Sequence, residues 1–287
     1  MARQLGAGTT EVLQARRILE DEGVRFHSES TWSTDTSAAY GPHVLRWRLD
    51  SDIPLHFVHS CDSTNRQAAR LAPQWTHPLG PSGLCGVVVA DHQTSGRGRL
   101  DRTWNSEAGH NLLFSVVLRP PVPPVQAPRC VLAWAAALAE ALDIHVKWPN
   151  DLIDTQDRKL GGLLAELETS SHQVQHLVLG VGVNANQVSF PGLPHAGSLA
   201  LTRGQPIDRA RTLTTLVRSL RACIVNTEDT LATWRSRNRT LGRRVRVGEI
   251  EGIAEGLRED GALLVDGRAV LTGDVQLVSG QAPGLQL

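Results

Sequence analysis

Ile144-His145-Val146-Lys147-Trp148-Pro149-Asn150-Asp151 reads as a short strand running into a turn. β-branched and apolar residues carry the first half, and Pro-Asn-Asp supplies turn chemistry to the second. Just before it, residues 130–142 are rich in Ala and Leu and predict a helix. Just after it, residues 160–167 and 175–183 predict two strands, the first reached through a loop holding Asp157-Arg158-Lys159. Further upstream, residues 55–58, 86–90 and 112–118 predict strands, the last closed by Arg119-Pro120-Pro121. Further downstream, residues 207–225 and 227–239 predict helices. The pattern then changes to short strands at 244–247, 252–257, 262–265 and 275–278, with turn pairs such as Asp260-Gly261 and Asp266-Gly267 between them. Such a run suggests a small barrel appended as a second domain. Residues 1–52 are weakly patterned: one helix over 11–22 ended by Gly23, then a Ser/Thr-rich loop over 28–37. The expected division is therefore 1–52, 53–241 and 242–287.

The chain has 287 residues, 41% hydrophobic and 20% charged, as in ordinary globular proteins. It lacks an apolar run of ~18 residues, so no membrane span is expected. A secretory signal is not expected either, because the first thirty residues contain no apolar core. Cys61, Cys85, Cys130 and Cys223 have no metal-ligand spacing and read as free thiols in a reducing cytoplasm. Cations and anions balance at 29 each, so net charge gives no pull toward nucleic acid. Within that total only Lys147 and Lys159 are lysines; the other 27 cations are arginines. Two positions that keep an ammonium in such a chain are candidates for a compact point charge that a planar guanidinium does not replace.

Five motifs carry candidate chemistry. Gly96-Arg97-Gly98-Arg99, followed by Arg102 and Trp104, joins a permissive backbone to three arginines in six residues, a field suited to phosphate or carboxylate. Lys147-Trp148-Pro149-Asn150-Asp151 sets one lysine where a strand ends. Arg158-Lys159-Leu160-Gly161-Gly162 sets the other beside a glycine pair. Gly180-Val181-Gly182-Val183-Asn184-Ala185-Asn186 lacks the third glycine and the helix of a dinucleotide fingerprint, and suits close approach of backbone to a ligand. Asp62-Ser63-Thr64-Asn65, taken alone, is a helix N-cap. There is no Ser–His–Asp set, no His pair at metal spacing and no Walker-type loop, and none of the eleven histidines is given a role.

In this order the five motifs resemble the biotin protein ligases, from about Phe57 to Leu277. The resemblance implies an α+β fold: a class II synthetase-like catalytic domain with a mixed, mostly antiparallel sheet backed by helices, and a C-terminal SH3-like β-barrel. It implies formation of biotinyl-5′-AMP from biotin and Mg-ATP, then transfer of biotin to a lysine. The carrier would be the biotin carboxyl carrier protein domain of acetyl-CoA carboxylase or another biotin-dependent carboxylase. By the same resemblance Ser63, Thr64 and Gln93, with Asn65 beside them, bind the ureido ring. Gly96, Arg97, Gly98 and Arg99 form a loop over biotin and its adenylate. Lys147 meets the biotin carboxylate and the α-phosphate, with Arg99 as the second catalytic group. Arg102, Trp104, Lys159 and Asn184 serve the nucleotide, Trp104 by stacking on adenine. Metal ligands are not assigned, and Mg²⁺ would ride on the phosphates.

Two departures stand out. Asp101 replaces the last glycine of the usual Gly-Arg-Gly-Arg-x-Gly-Arg, adding rigidity and a negative charge. Bifunctional members also carry an N-terminal winged helix, whereas residues 1–52 offer one helix and no basic face, so a monofunctional enzyme without specific DNA binding is expected. A homodimer is a candidate assembly. The rival readings are a lipoate–protein ligase of the same fold and a biotin-responsive DNA-binding regulator.

Overall fold

The computed structural model describes residues 9–22, 24–26, 32–34, 40–170, 173–225 and 228–278. Helix α1 (Thr9–Asp21) precedes an antiparallel hairpin of β1 (Val24–Phe26) and β2 (Trp32–Thr34). The loop expected over 28–37 therefore contains a strand, because aromatic and β-branched residues occur in both segments that pair. Gly23, the expected helix stop, lies outside the described residues. Helix α2 (Pro42–Arg48) was not legible: it is short and buries only the adjacent pair Val44 and Leu45, which gives no helical period.

The chain then builds β3 (Leu55–Cys61), α3 (Thr64–Leu71), β4 (Leu84–Gln93), β5 (Leu112–Leu118), α4 (Ala127–Leu142), β6 (His145–Lys147), β7 (Asp151–Ile153), β8 (Lys159–Ser170) and β9 (Gln173–Val183). The seven strands form one sheet in the order β3-β4-β5-β9-β8-β7-β6. Only β3 and β4 run parallel, joined by α3 as crossover; every other neighbour is antiparallel. β4 and β5 are apolar on consecutive positions because both of their faces are covered. Val87, Val89, Phe114, Val116, Leu179 and Val181 face the main core. There they meet α4 and α6 (Arg209–Ala222), through residues such as Trp134, Leu138 and Leu213. Alternate residues Val88, Val117 and Val178 face α3 through Ala68 and Ala72. α5 (Leu199–Arg203) and α7 (Glu228–Arg237) complete the helices.

β10 (Arg244–Val247), β11 (Ile250–Leu257), β12 (Leu263–Val265), β13 (Arg268–Val270) and β14 (Gln276–Leu277) form a second sheet, order β13-β12-β11-β10-β14. It is open, with β13 and β14 as edges, where the sequence suggested a closed barrel; the edge strands have three and two residues, too short to pair across the gap. Asp266 and Gly267, both at positive φ, make the tight turn between β12 and β13, which supplies the strand β13 that sequence reading passed over. Among the described residues no helix is long and apolar enough to cross a membrane.

The two sheets share one continuous apolar core. Trp148, 1% exposed, is the peg between them. Its backbone N–H donates to Thr240 Oγ1 at 2.9 Å and its indole Nε1–H to the Gly261 carbonyl at 3.0 Å. Asp157 clamps the same junction, accepting from Arg239 at 2.7 Å and Arg243 at 2.8 Å. Trp148→Phe keeps an aromatic ring but strands the buried Gly261 carbonyl, a loss of about 1–3 kcal/mol. Urea unfolding should show a lower midpoint with an unchanged slope; an unchanged midpoint contradicts the role.

Candidate active site

On the face of the sheet that carries α3, side chains are small where the middle of β5 meets the end of β9. Ser115, Gly180 and Gly182 continue the rows of Val117 and Val178. A cavity of about 380 Å³ opens there, walled by α3, the loop after β4, β8, and the connection after β9.

Its floor is the start of α3. Ser63 holds the N-cap position, yet its side chain makes no capping bond. The Thr64 N–H donates instead to Gln93 Oε1 at 2.7 Å, and the Thr64 hydroxyl donates to the same oxygen at 3.1 Å. The run is a helix start with Ser63 at the N-cap, as its sequence reads, but the buried Ser63 hydroxyl lies on the cavity lining instead of capping. Asn65 is more committed. Its Nδ2 donates to Glu166 Oε2 at 2.6 Å and to the Leu164 carbonyl at 3.3 Å, and its Oδ1 accepts from Ser115 Oγ at 2.6 Å. Any side chain at Gly180 would overlap Asn65 Oδ1, and one at Gly182 would overlap the Trp104 indole. The close approach expected of this glycine strand is thus made by two side chains of the protein itself.

The Gly/Arg loop folds back on itself, with Gly98 N–H bonded to the Arg102 carbonyl at 2.7 Å and Trp104 N–H to the Gly96 carbonyl at 2.9 Å. Leu100 and Asp101 take φ of 53° and 57°, so Asp101 occupies a left-handed position natural to glycine. Arg97 ion-pairs with Glu166 and Arg102 with Asp274. Arg99 differs: its hydrogen bonds reach Asn150 Oδ1 (3.1 Å), Thr272 Oγ1 (2.8 Å) and the Gly273 carbonyl (3.4 Å), all uncharged. Burial lowers its pKa, with Asp274 and Asp151 opposing from farther away. Trp104 stands over Gly182 with its buried Nε1 unpartnered, and Lys159 Nζ lies 6.0 Å from its ring centre. Asn184 donates to the Gly197 carbonyl at 2.9 Å, which pins the connection that brings Phe190 and His195 to the wall.

Both lysines of the chain end on one carboxylate. Lys147 Nζ lies 3.0 Å from Asp151 Oδ2, and Lys159 Nζ lies 2.6 Å from Asp151 Oδ1. The backbone dictates this: Lys147 and Asp151 face each other across the β6–β7 hairpin, and Lys159 opens β8, the next strand over. Burial pushes the Asp151 carboxyl up, but Lys159 and Lys147 outweigh it and hold it below the usual carboxylate range. Asp151 stood in the quoted five-residue motif, where sequence reading gave it only a turn. Of the expected site residues, Ser63, Thr64, Asn65, Gln93, Arg97, Gly98, Arg99, Arg102, Trp104, Lys159 and Asn184 line the cavity. Lys147 and Gly96 do not; Lys147 stands behind Asp151, and Gly96 packs on the Trp104 backbone. Ser115, Glu166 and Asp274 carried no local signal. Among the described residues no group of three or more His, Cys, Asp or Glu is placed to hold a metal.

The sequence profile of the Biotin/lipoate A/B protein ligase family matches residues 60–184. The biotin--[acetyl-CoA-carboxylase] ligase of Mycobacterium tuberculosis is 36% identical over 213 residues, 66% of this chain and 77% of that protein. The bifunctional ligase/repressor BirA of Bacillus spizizenii is 33% identical over 179 residues, 58% of this chain. The chain spans only about half of that relative, 53% of its length. Among solved structures, the biotin protein ligase from Aquifex aeolicus in complex with biotin and ATP aligns over 79% of this chain and 99% of that one, with a TM-score of 0.58 and 29% identity. On this likeness, the chain belongs to the biotin protein ligases of the Biotin/lipoate A/B protein ligase family.

Proposed function

We propose that this protein joins biotin to ATP, giving biotinyl-5′-AMP and pyrophosphate, and then transfers the biotinyl group to a carrier-protein lysine with release of AMP. The observation that carries the reading is the pair of cations at one wall of the cavity. Lys159 is fixed by Asp151, and Arg99 by neutral partners only. Attack of a carboxylate oxygen on the α-phosphorus brings two anions together, so fixed positive charge lowers the barrier most. Arg99 brings a full charge that no hydrogen-bonded carboxylate neutralises.

Each side chain then has a place. Ser63, Thr64 and Gln93 present hydroxyl and amide groups to a ureido ring, with Asn65 holding the floor from behind. Arg97, between Gly96 and Gly98, covers the bound acyl group. Arg102 and Asn184 flank the nucleotide, and Trp104 offers a ring face for adenine with a free indole N–H beside it. Lys159, on the cavity wall, takes the contact with carboxylate and α-phosphate that the resemblance first gave to Lys147; Lys147 holds Asp151 in register. In the second step the incoming amine arrives neutral, attacks the acyl carbon, and sheds its proton as AMP leaves. Lys159 stabilises the developing oxyanion. The carboxylates near the phosphates are already bound to lysine or arginine, a donor set that fits Mg²⁺ carried in on the triphosphate and adding charge neutralisation there.

The carrier is proposed to be the biotin carboxyl carrier domain of a biotin-dependent carboxylase. Residues 53–241 are assigned to the catalytic unit, and the sheet of β10–β14 is taken as an SH3-like module, the segment before β14 holding one side of the Gly/Arg loop. Incubating the purified protein with labelled biotin, ATP and such a carrier domain should label the carrier, and excess lipoate should not compete. Labelling from lipoate in place of biotin would overturn the reading.

The two lysines separate in a second experiment. Lys159→Arg should slow pyrophosphate release at saturating biotin and ATP by ~10²–10³-fold. Lys147→Arg, whose guanidinium still reaches Asp151, should lose much less. The reverse order sinks the assignment. Asp151→Asn leaves two ammonium groups facing each other without their shared counter-charge; because both lysines are partly exposed, the destabilisation should be about 1–3 kcal/mol. Urea unfolding measures it, and a stability equal to the parent's contradicts the pairing.

A further inference from the structure

Glu166 lies on β8, outside the set of residues that line the cavity, and no motif drew attention to it. Its two oxygens nevertheless serve two different parts of the site. Oε1 pairs with Arg97 of the Gly/Arg loop, and Oε2 accepts from Asn65 Nδ2 at 2.6 Å. From Asn65 Oδ1 the network continues to the Ser115 hydroxyl at 2.6 Å, which lies 2.7 Å from Thr64 Oγ1, and the Thr64 N–H donates to Gln93 Oε1 at 2.7 Å. One carboxylate therefore joins the loop above the cavity to the floor beneath it.

Two readings compete. The Arg97–Glu166 contact is a partly exposed ion pair, with side chains 38% and 40% accessible, and such pairs by themselves contribute little to stability. The Asn65 contact is different in kind. Asn65 is 3% exposed, its amide has no other route to a charge, and a hydrogen bond to a carboxylate is about twice as strong as a neutral one. Any movement of Glu166 toward a displaced Arg97 must pull on that bond, and any shift of Asn65 must move the carboxylate that receives Arg97.

We propose that Glu166 is a positioning residue that couples the Gly/Arg loop to the substrate-binding floor at Ser63, Thr64 and Gln93, so that the loop holds its closed shape only over an intact floor. What the coupling does for the acyl-adenylate rests on the ligase reading above. Glutamine is the informative substitution. A carboxylate accepts from both Arg97 and Asn65, whereas a glutamine side chain has a single oxygen, and its amide nitrogen must face one of the two donors.

The test has two arms. In the ligand-free protein, hydrogen exchange is followed at the N–H groups of Gly98, Arg102 and Trp104 in the loop and of Thr64 on the floor. Glu166→Gln should speed exchange at both places by about 10-fold, the scale of one charged hydrogen bond. Arg97→Ala should speed the loop, and adding Glu166→Gln to it should speed the loop no further. In the second arm, Glu166→Gln should raise KM for biotin and the escape rate of biotinyl-5′-AMP by about 10-fold. KM for ATP and kcat at saturating biotin should stay within two-fold. Faster exchange confined to the loop, or multiplicative effects in the double variant, overturns the coupling. So does an equal fall in every kinetic constant together with a lower unfolding midpoint, the mark of a merely structural residue. If the exchange arm holds while the parent protein makes no adenylate, the ligase reading has failed and the coupling stands.

Discussion

Asp151 accepts both lysines of the chain, one on each carboxylate oxygen, and the arrangement of the cavity follows from that contact. The carboxylate is half-buried at the cavity wall between β6 and β8, where an isolated charge is costly. Two ammonium groups keep it ionised, and it in turn keeps them in place. Their side chains are long and flexible, so without this anchor neither would be held at a fixed distance from a substrate. A guanidinium is broader and planar, and the compact ammonium matters most at Lys159, whose end reaches the cavity wall.

Around this centre, charge is distributed by the same rule. Arg97 and Arg102 each rest on a carboxylate, from β8 and from the C-terminal segment, while Arg99 rests on neutral oxygens. The loop is thereby tied to both sheets before any ligand arrives. The C-terminal sheet is a working part of the cavity: Thr272, Gly273 and Asp274 hold the loop, and Trp148, within the lysine motif, pegs that sheet to the catalytic one. Electrostatic preorganisation of this kind leaves little for the protein to rearrange when charge develops in a reaction.

Much of this was legible in the sequence, and the residues that were not share a cause. The strands at 112–118 and 175–183, the helix over 130–142 and the Gly/Arg loop announce themselves by local composition. So did the isolation of Lys147 and Lys159. Their common partner did not, because Asp151 meets Lys159 only once β7 and β8 pair, eight residues away through a loop that no periodicity describes. Ser115 and Glu166 are polar residues in strands, and such residues usually face solvent; the packing of α3 buries Ser115 and gives the partly exposed Glu166 a bond to Asn65. Asp274 comes from the segment between β13 and β14. α2 and α5 are too short to show a period, and β13 is visible only as what must follow the Asp266-Gly267 turn. Which lysine belongs to the cavity lining was also a tertiary matter, since strand position alone does not say on which side of Asp151 each ammonium lies.

A group whose folded pKa is depressed adds stability at pH above its unfolded value, and that stability is lost as pH falls through the folded value. Asp151, held low by Lys159 and Lys147 against the opposing effect of burial, belongs to this class. The direct measurement is a carbon-13 NMR titration of the Asp151 carboxyl in the ligand-free protein, assigned with an Asp151→Asn control. A midpoint below the ordinary aspartate value of about 3.9 is the expected result. Titration at or above that value would mean that burial prevails over the two lysines, and the contact on which the site is built would not exist in solution.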